Sequence, residues 1–148
     1  MATDLDLVKL YSGRILALAA DIPHLGRLEQ PCATAHRRSP LCGSTVTVDL
    51  RMENGRIVDF AQDVKACALG QAAASVLGAH VIGRSREEID IARDQLSAML
   101  REDGPVPEAP FEDLETLLPA REFTNRHASI LLAFEATAEA MAEAENAA

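Results

Sequence analysis

Two stretches of the chain alternate apolar and polar residues with a period of two. In TVTVDLRM, residues 45–52, Val46, Val48, Leu50 and Met52 fall on one face, and in RIVDFAQDV, residues 56–64, Val58, Phe60 and Val64 repeat the pattern. Between them, Asn54 and Gly55 supply the residue pair that accepts the left-handed backbone of a tight hairpin turn. The alternation therefore predicts an antiparallel hairpin. Elsewhere the spacing is helical. Leu7, Leu10, Tyr11, Ile15 and Leu18 predict a first helix over about residues 4–21, with Thr3 as its N-cap and Asp6 three places on. Pro23 and Gly26 in IPHLGRLEQP end it, and an extended segment is expected around residues 33–37.

Beyond the hairpin, ALGQAAASVLGAHVI predicts a helix of small residues able to lie close against a neighbour. SREEIDIARDQLSAML predicts another, opened by Ser85 with Glu88 completing a capping box. EDGPVPEAP is a loop and not a domain boundary, because the roughly 40 residues after it cannot form a core alone. A short helical piece is expected around residues 111–118. In a last helix, His127, Ile130, Leu131, Phe134, Ala138 and Met141 share one stripe, and residues 142–148 are expected to fray. With 148 residues and no internal repeat, the reading is one domain over 1–148.

The hairpin carries a consequence for chemistry. Cys42 lies twelve residues before Asn54, and Cys67 twelve after Gly55. The simplest register pairs Asp49 with Phe60 and sets the two apolar faces on opposite sides, so the true pairing slips by one through a bulge or a longer loop. Either way Cys42 falls within one residue of facing Cys67 at the open end of the ribbon, where cross-strand and diagonal neighbours lie about 5–8 Å apart. Two thiols so placed can share a metal ion.

Composition narrows the function. Hydrophobic residues are 48% of the chain, charged residues 25% and aromatic residues 3%, which is globular with an aliphatic core. A net charge of -9 argues against a nucleic-acid or anionic-membrane partner, and the one local basic clump, HRRS at residues 36–39, reads as a solvated loop. The amino terminus shows no secretory pattern and the chain has no membrane-length apolar run, so a cytoplasmic location is expected. Three cysteines do not make a disulfide framework and point to free, metal-bound or catalytic thiols.

Cys67 just ahead of a helix, with Lys65 two residues earlier, sits where a thiolate is favoured, although a buried structural cysteine fits the same pattern. His127 reads either as a histidine hydrogen-bonded to backbone or, with Cys42 and Cys67, as the third member of a Cys, Cys, His set suited to zinc or iron. There is no C-x-x-C, H-E-x-x-H, Gly-rich phosphate loop or G-x-S-x-G, which leaves common hydrolases, kinases and dinucleotide enzymes without support. Cys32, His24, His36 and His80 have no spacing that singles them out.

In order and spacing, PLCGSTVTVDL, NGRIVDFAQDVKAC, AAAS ending at Ser75 and IGRSREEI resemble the U-type iron–sulfur assembly scaffolds: IscU, SufU and the amino-terminal domain of NifU. LVKLYSGRIL followed by IPHLG is similar to that family's first helix and turn, and RHASIL to its last motif. The resemblance spans roughly residues 7–141. It implies an α+β fold, a small antiparallel sheet packed against several helices, with a metal site at one end of the sheet. In the family that site uses three cysteines and an aspartate, receives sulfur from a cysteine desulfurase and assembles a [2Fe–2S] cluster for acceptor proteins, while some members hold zinc.

By position, Cys42 and Cys67 match the first two cysteines. The family's Cys-Gly-Asp becomes Cys42, Gly43 and Ser44, and the third cysteine is matched either by Ala128 or, in an alignment shifted by one, by His127. The resemblance thus implies a scaffold or carrier with an incomplete ligand set, Cys42, Cys67 and His127, for a [2Fe–2S] cluster or iron. An external thiol, a water or a second subunit of a homodimer would complete the coordination. Two alternatives follow: a zinc-dependent sulfur acceptor that uses Cys67, and a metal-free adaptor or regulatory module.

Overall fold

The computed structural model of the chain describes residues 12–40 and 43–147. Its elements are helix α1 (Gly13–Ala20), strands β1 (Ala33–Arg38), β2 (Thr45–Glu53) and β3 (Arg56–Lys65), helices α2 (Ala68–His80) and α3 (Arg86–Arg101), a 3-10 segment (Glu112–Glu122) followed by a short one (Thr124–Arg126), and helix α4 (His127–Ala147). The α+β class expected from the resemblance is what the chain adopts.

The three strands form one antiparallel sheet in the order β1-β2-β3. Asn54 and Gly55 connect β2 to β3 with φ of 54° and 77°, the left-handed pair a two-residue hairpin turn needs. The expected slip is present. Glu53 pairs with Arg56 and Met52 with Ile57, but Arg51 pairs with Asp59, so Val58 is the extra residue of a bulge. The bulge also corrects the apolar face: Ile57 and Phe60 are buried, whereas Val58, expected on that face, is exposed.

Val46, Val48 and Leu50 turn one face of the sheet onto α4, which packs against β1 and β2 on one side and α2 and α3 on the other. The helix is therefore apolar nearly all round and forms the middle layer. Its stripe does not stop at Met141. Ala140 and Ala144 are buried, Arg86 of α3 meets Glu145, and the helix runs to Ala147. Alanine's high helix propensity and the burial of Ala144 favour this continuation.

One further expectation changes. HRR of the basic clump belongs to strand β1 and not to a loop. Helix α1 begins at Gly13, where extended Ser12 accepts from the Ile15 amide; the expected Thr3 cap and residues 4–11 lie outside the described residues. The α3 capping box forms as read, with the Glu88 amide donating to Ser85 Oγ at 3.3 Å and the Ser85 amide to Glu88 Oε1 at 3.1 Å. The bond from the Ser85 amide, then Arg84 and Arg56, hold the Glu88 carboxyl below its usual range. Ser85→Ala is expected to cost about 1 kcal/mol, lowering the melting midpoint by roughly 2–4 °C in a chain of this size, as a calorimetric scan would show.

Candidate functional site

Cys67 stands at the open end of the sheet. The β2–β3 pairing closes at Thr45 and Lys65, and two residues on, Cys67 becomes the N-cap of α2, with extended φ and ψ of -67° and 169°. Its side chain makes no capping bond. Cys67 is half-buried and free, while Cys32, just before β1, is free and exposed. Lys65 is exposed at the end of β3 and has no ion pair among the described residues.

Among the described residues, the polar side chain that meets Cys67 is a serine hydroxyl. Ser129 Oγ of α4 lies 3.7 Å from Cys67 Sγ and donates to Ser44 Oγ at 2.9 Å. Ser129 is 1% exposed and Ser44 5%. Three distant segments thus converge: the entry to β2, the start of α2 and the first turn of α4. The approach of α4 depends on Gly70. A Cβ at that position would stand 2.8 Å from Ser129 Oγ and 2.9 Å from the Ala66 Cβ. No side chain fits there without moving α4.

Cys42 lies outside the described residues. Its covalent neighbour Gly43 is described, with φ of 70°, a conformation glycine adopts freely. The Gly43 amide donates to the Ser39 carbonyl, and the Ser39 amide to the Ser44 carbonyl at 2.8 Å, closing the β1–β2 turn. The glycine of the Cys-Gly pair is therefore required by backbone geometry as the chain enters β2.

His127 opens α4. It is buried, and its Nε2 donates to the Ala120 carbonyl at 2.9 Å, the backbone-bonded alternative weighed above. Ser129 follows two residues later, a rotation of about 200° around a helix, so the side chain that meets Cys67 and the imidazole leave α4 on opposite sides. The structure places Ser129, and through it Ser44, beside Cys67, while His127 bonds the Ala120 carbonyl. Among the described residues, no three His, Cys, Asp or Glu side chains come close enough to hold one metal ion. The reading from sequence passed over Ser129 and Gly70. The signal available was Gly70 itself, a poor helix former in the first turn of an otherwise alanine-rich helix.

A groove of about 720 Å³ lies between the end of α3 and the 3-10 segment, lined by Leu100, Asp103, Leu118 and Arg121 among others. No helix among the described residues is long and apolar enough to cross a membrane.

Comparisons with known proteins agree with this architecture. Residues 10–115 match the family model described as the NifU-like N terminal domain. A crystal structure of a nitrogen-fixing NifU-like protein, N-terminal part, from Brucella abortus is 45% identical, with a TM-score of 0.93 over 97% of this chain and 99% of that one. A structure described as an iron–sulfur cluster assembly scaffold for the SUF system, from Fervidobacterium islandicum AW-1, shares the fold at 20% identity, with a TM-score of 0.78 over 89% of this chain and 96% of that one. The protein named iron–sulfur cluster assembly scaffold protein IscU from Thermotoga maritima is 24% identical over 132 residues, 89% of this chain and 92% of the relative.

Proposed function

Because the chain belongs to the NifU-like N-terminal domain family, we propose that it is an iron–sulfur cluster assembly scaffold or carrier whose own ligand set is incomplete. It would act as a single domain spanning 1–148, in the cytoplasm. Its cargo would be a [2Fe–2S] cluster or iron, received with sulfur from a cysteine desulfurase and passed to acceptor proteins. The names of the Thermotoga maritima relative and of a second IscU from Streptococcus pyogenes serotype M1, 27% identical over 109 residues, support the reading.

The observation that carries it is the hydroxyl link between the two cysteine-bearing segments. Ser44, two residues from Cys42, accepts from Ser129, which touches Cys67, so the turn carrying Cys42 is tied to the edge where Cys67 stands. Cys42 and Cys67 are the proposed ligands. The hydroxyls of Ser44 and Ser129 are poor partners for iron or zinc, which favour thiolate and imidazole. Two sulfurs per chain then leave two positions of a four-coordinate metal to an external thiol, a water or a second copy, an arrangement suited to cargo that must leave again.

Anaerobic reconstitution with ferrous iron and sulfide tests this. The parent chain is expected to gain visible absorbance, and Cys42→Ser and Cys67→Ser to lose it. His127→Gln is expected to keep the colour while melting lower, because the histidine supports the core and not the cargo. A colourless parent carrying stoichiometric zinc would replace this reading with the sulfur acceptor, and a metal-free chain that still holds a cysteine desulfurase would replace it with the adaptor.

A further inference from the structure

The two edges of the sheet are finished differently. Along β3 the outer backbone is occupied: the Gln62 amide donates to the His24 carbonyl and the Gly26 amide to the Gln62 carbonyl, both at 2.9 Å, while Ile57 exchanges bonds with Gly83 and Arg84. Along β1 the described residues give the outer backbone no such cover. The Ser39–Ser44 bond fixes the hydrogen-bonding phase, so Ala33, Ala35 and Arg37 point their amides and carbonyls at β2. Those of Thr34, His36 and Arg38 point outward, and none of them is bonded by another described residue. All three residues are exposed.

This edge also carries charge of one sign. His36, Arg37 and Arg38 follow one another along β1, and Lys65 lies in the same cross-strand row as Arg38, with Thr45 between them. Arg37 has only a long pair, at 3.8 Å, with Glu139; Arg38 and Lys65 have no acidic partner among the described residues. The acid on this face nearest to them is Asp63, in the row of His36 and Thr47, where His36 Nδ1 meets Thr47 Oγ1. In a chain of net charge -9, this corner is basic.

Charged edge strands also discourage pairing between copies. That property chooses the occupant here, because a second copy would bring its own His36, Arg37 and Arg38 against these, while an acidic strand meets opposite charge. We propose that β1 receives an extended acidic segment of a partner protein as a fourth strand. The segment bonds to the outward amides and carbonyls of Thr34, His36 and Arg38, and carries acidic residues at alternate positions facing His36 and Arg38. The docked strand ends in the row of Thr45 and Lys65, two residues from Cys67, which brings the partner to the edge where the cargo is held.

The test uses the full chain and a fluorescein-labelled octapeptide of alternating glutamate and valine, followed by anisotropy. Binding is expected to weaken at least tenfold for the same peptide with a central proline, and for a lysine-valine peptide. His36→Pro, which removes an outward amide and leaves the β1–β2 ladder intact, is expected to weaken it tenfold. His36→Val is expected to change it less than threefold, and Arg38→Glu about tenfold, with melting curves confirming that each variant is folded. In 1H–15N spectra the amides of Thr34, His36 and Arg38 should shift and gain exchange protection. Equal affinity for the two glutamate peptides, amide shifts that map away from β1, or dimerisation of the chain through β1 would each overturn the proposal.

Discussion

An Asp49→Ala chain is expected to melt roughly 6–12 °C below the parent at neutral pH, from about 3 kcal/mol for removing one partner of a buried, hydrogen-bonded ion pair. Asp49 lies mid-strand in β2, on the face of the sheet away from α4, and yet is fully buried. Its carboxylate accepts from Arg27 Nε at 2.6 Å, Arg27 Nη2 at 3.2 Å, the Leu28 amide at 3.1 Å and the Thr34 hydroxyl. One side chain thus fastens the segment between α1 and β1 across the sheet and joins β1 to β2. Arg27 is 55% exposed and returns to water when the aspartate is removed. The loss therefore falls mainly on the Leu28 amide and Thr34, which is why the lower end of the range for a broken buried pair is used.

The same group sets an acid dependence. Burial alone would push the Asp49 carboxyl up, but the bonds from Arg27, Thr34 and Leu28 outweigh it, and its pKa is held below the usual value. A carboxyl lowered in the folded state contributes stability above its unfolded pKa of about 3.9, and that contribution disappears as pH falls through the lower folded value. The parent midpoint should therefore drop more steeply than that of Asp49→Ala below about pH 4, with the gap between them narrowing. Parallel curves in melts from neutral to acid pH would show that Asp49 is not the linked group.

Gly70→Ala is expected to destabilise the chain by about 1–3 kcal/mol and to loosen the site at Cys67. In a free helix the exchange would add about 1 kcal/mol of stability. Here the new methyl meets Ser129 Oγ at 2.8 Å, Ala66 Cβ at 2.9 Å and the Ser129 carbonyl at 3.1 Å, none of them the end of a long flexible side chain. The clash decides the sign. Relief requires α4 to retreat from α2, which separates Ser129 from Cys67 and draws on its bond to Ser44. A reconstituted Gly70→Ala chain should lose its cargo to a chelator several-fold faster than the parent. Ser129→Gly in the same chain should restore part of the stability, because it removes the hydroxyl but not the backbone contact. A Gly70→Ala chain more stable than its parent would show that the helices are not held at this distance.

Local pattern carried much of the architecture. The Asn54–Gly55 turn, the one-residue slip and the Ser85–Glu88 capping box each follow from a few neighbouring residues, since period, turn conformation and capping are satisfied within one element or one hairpin. The alternation did not show where the bulge sits, because only the ladder distinguishes Val58 as the extra residue. The extended segment expected around residues 33–37 is β1, but the overlapping basic clump was read as a loop, because only the pairing with β2 shows that HRR continues the strand.

What the sequence alone determined about this protein is its strand hairpin, its capped helix and the presence of Cys67 at the junction of strand and helix. The tertiary structure decided which side chains stand beside that sulfur. The first turn of α4 offers His127, Ala128 and Ser129 in three directions, and the stripe pattern reads the histidine as readily as the serine. Which of them faces Cys67 is fixed by the contact of α4 with Gly70 on another element, a relation between surfaces that no run of neighbouring residues encodes.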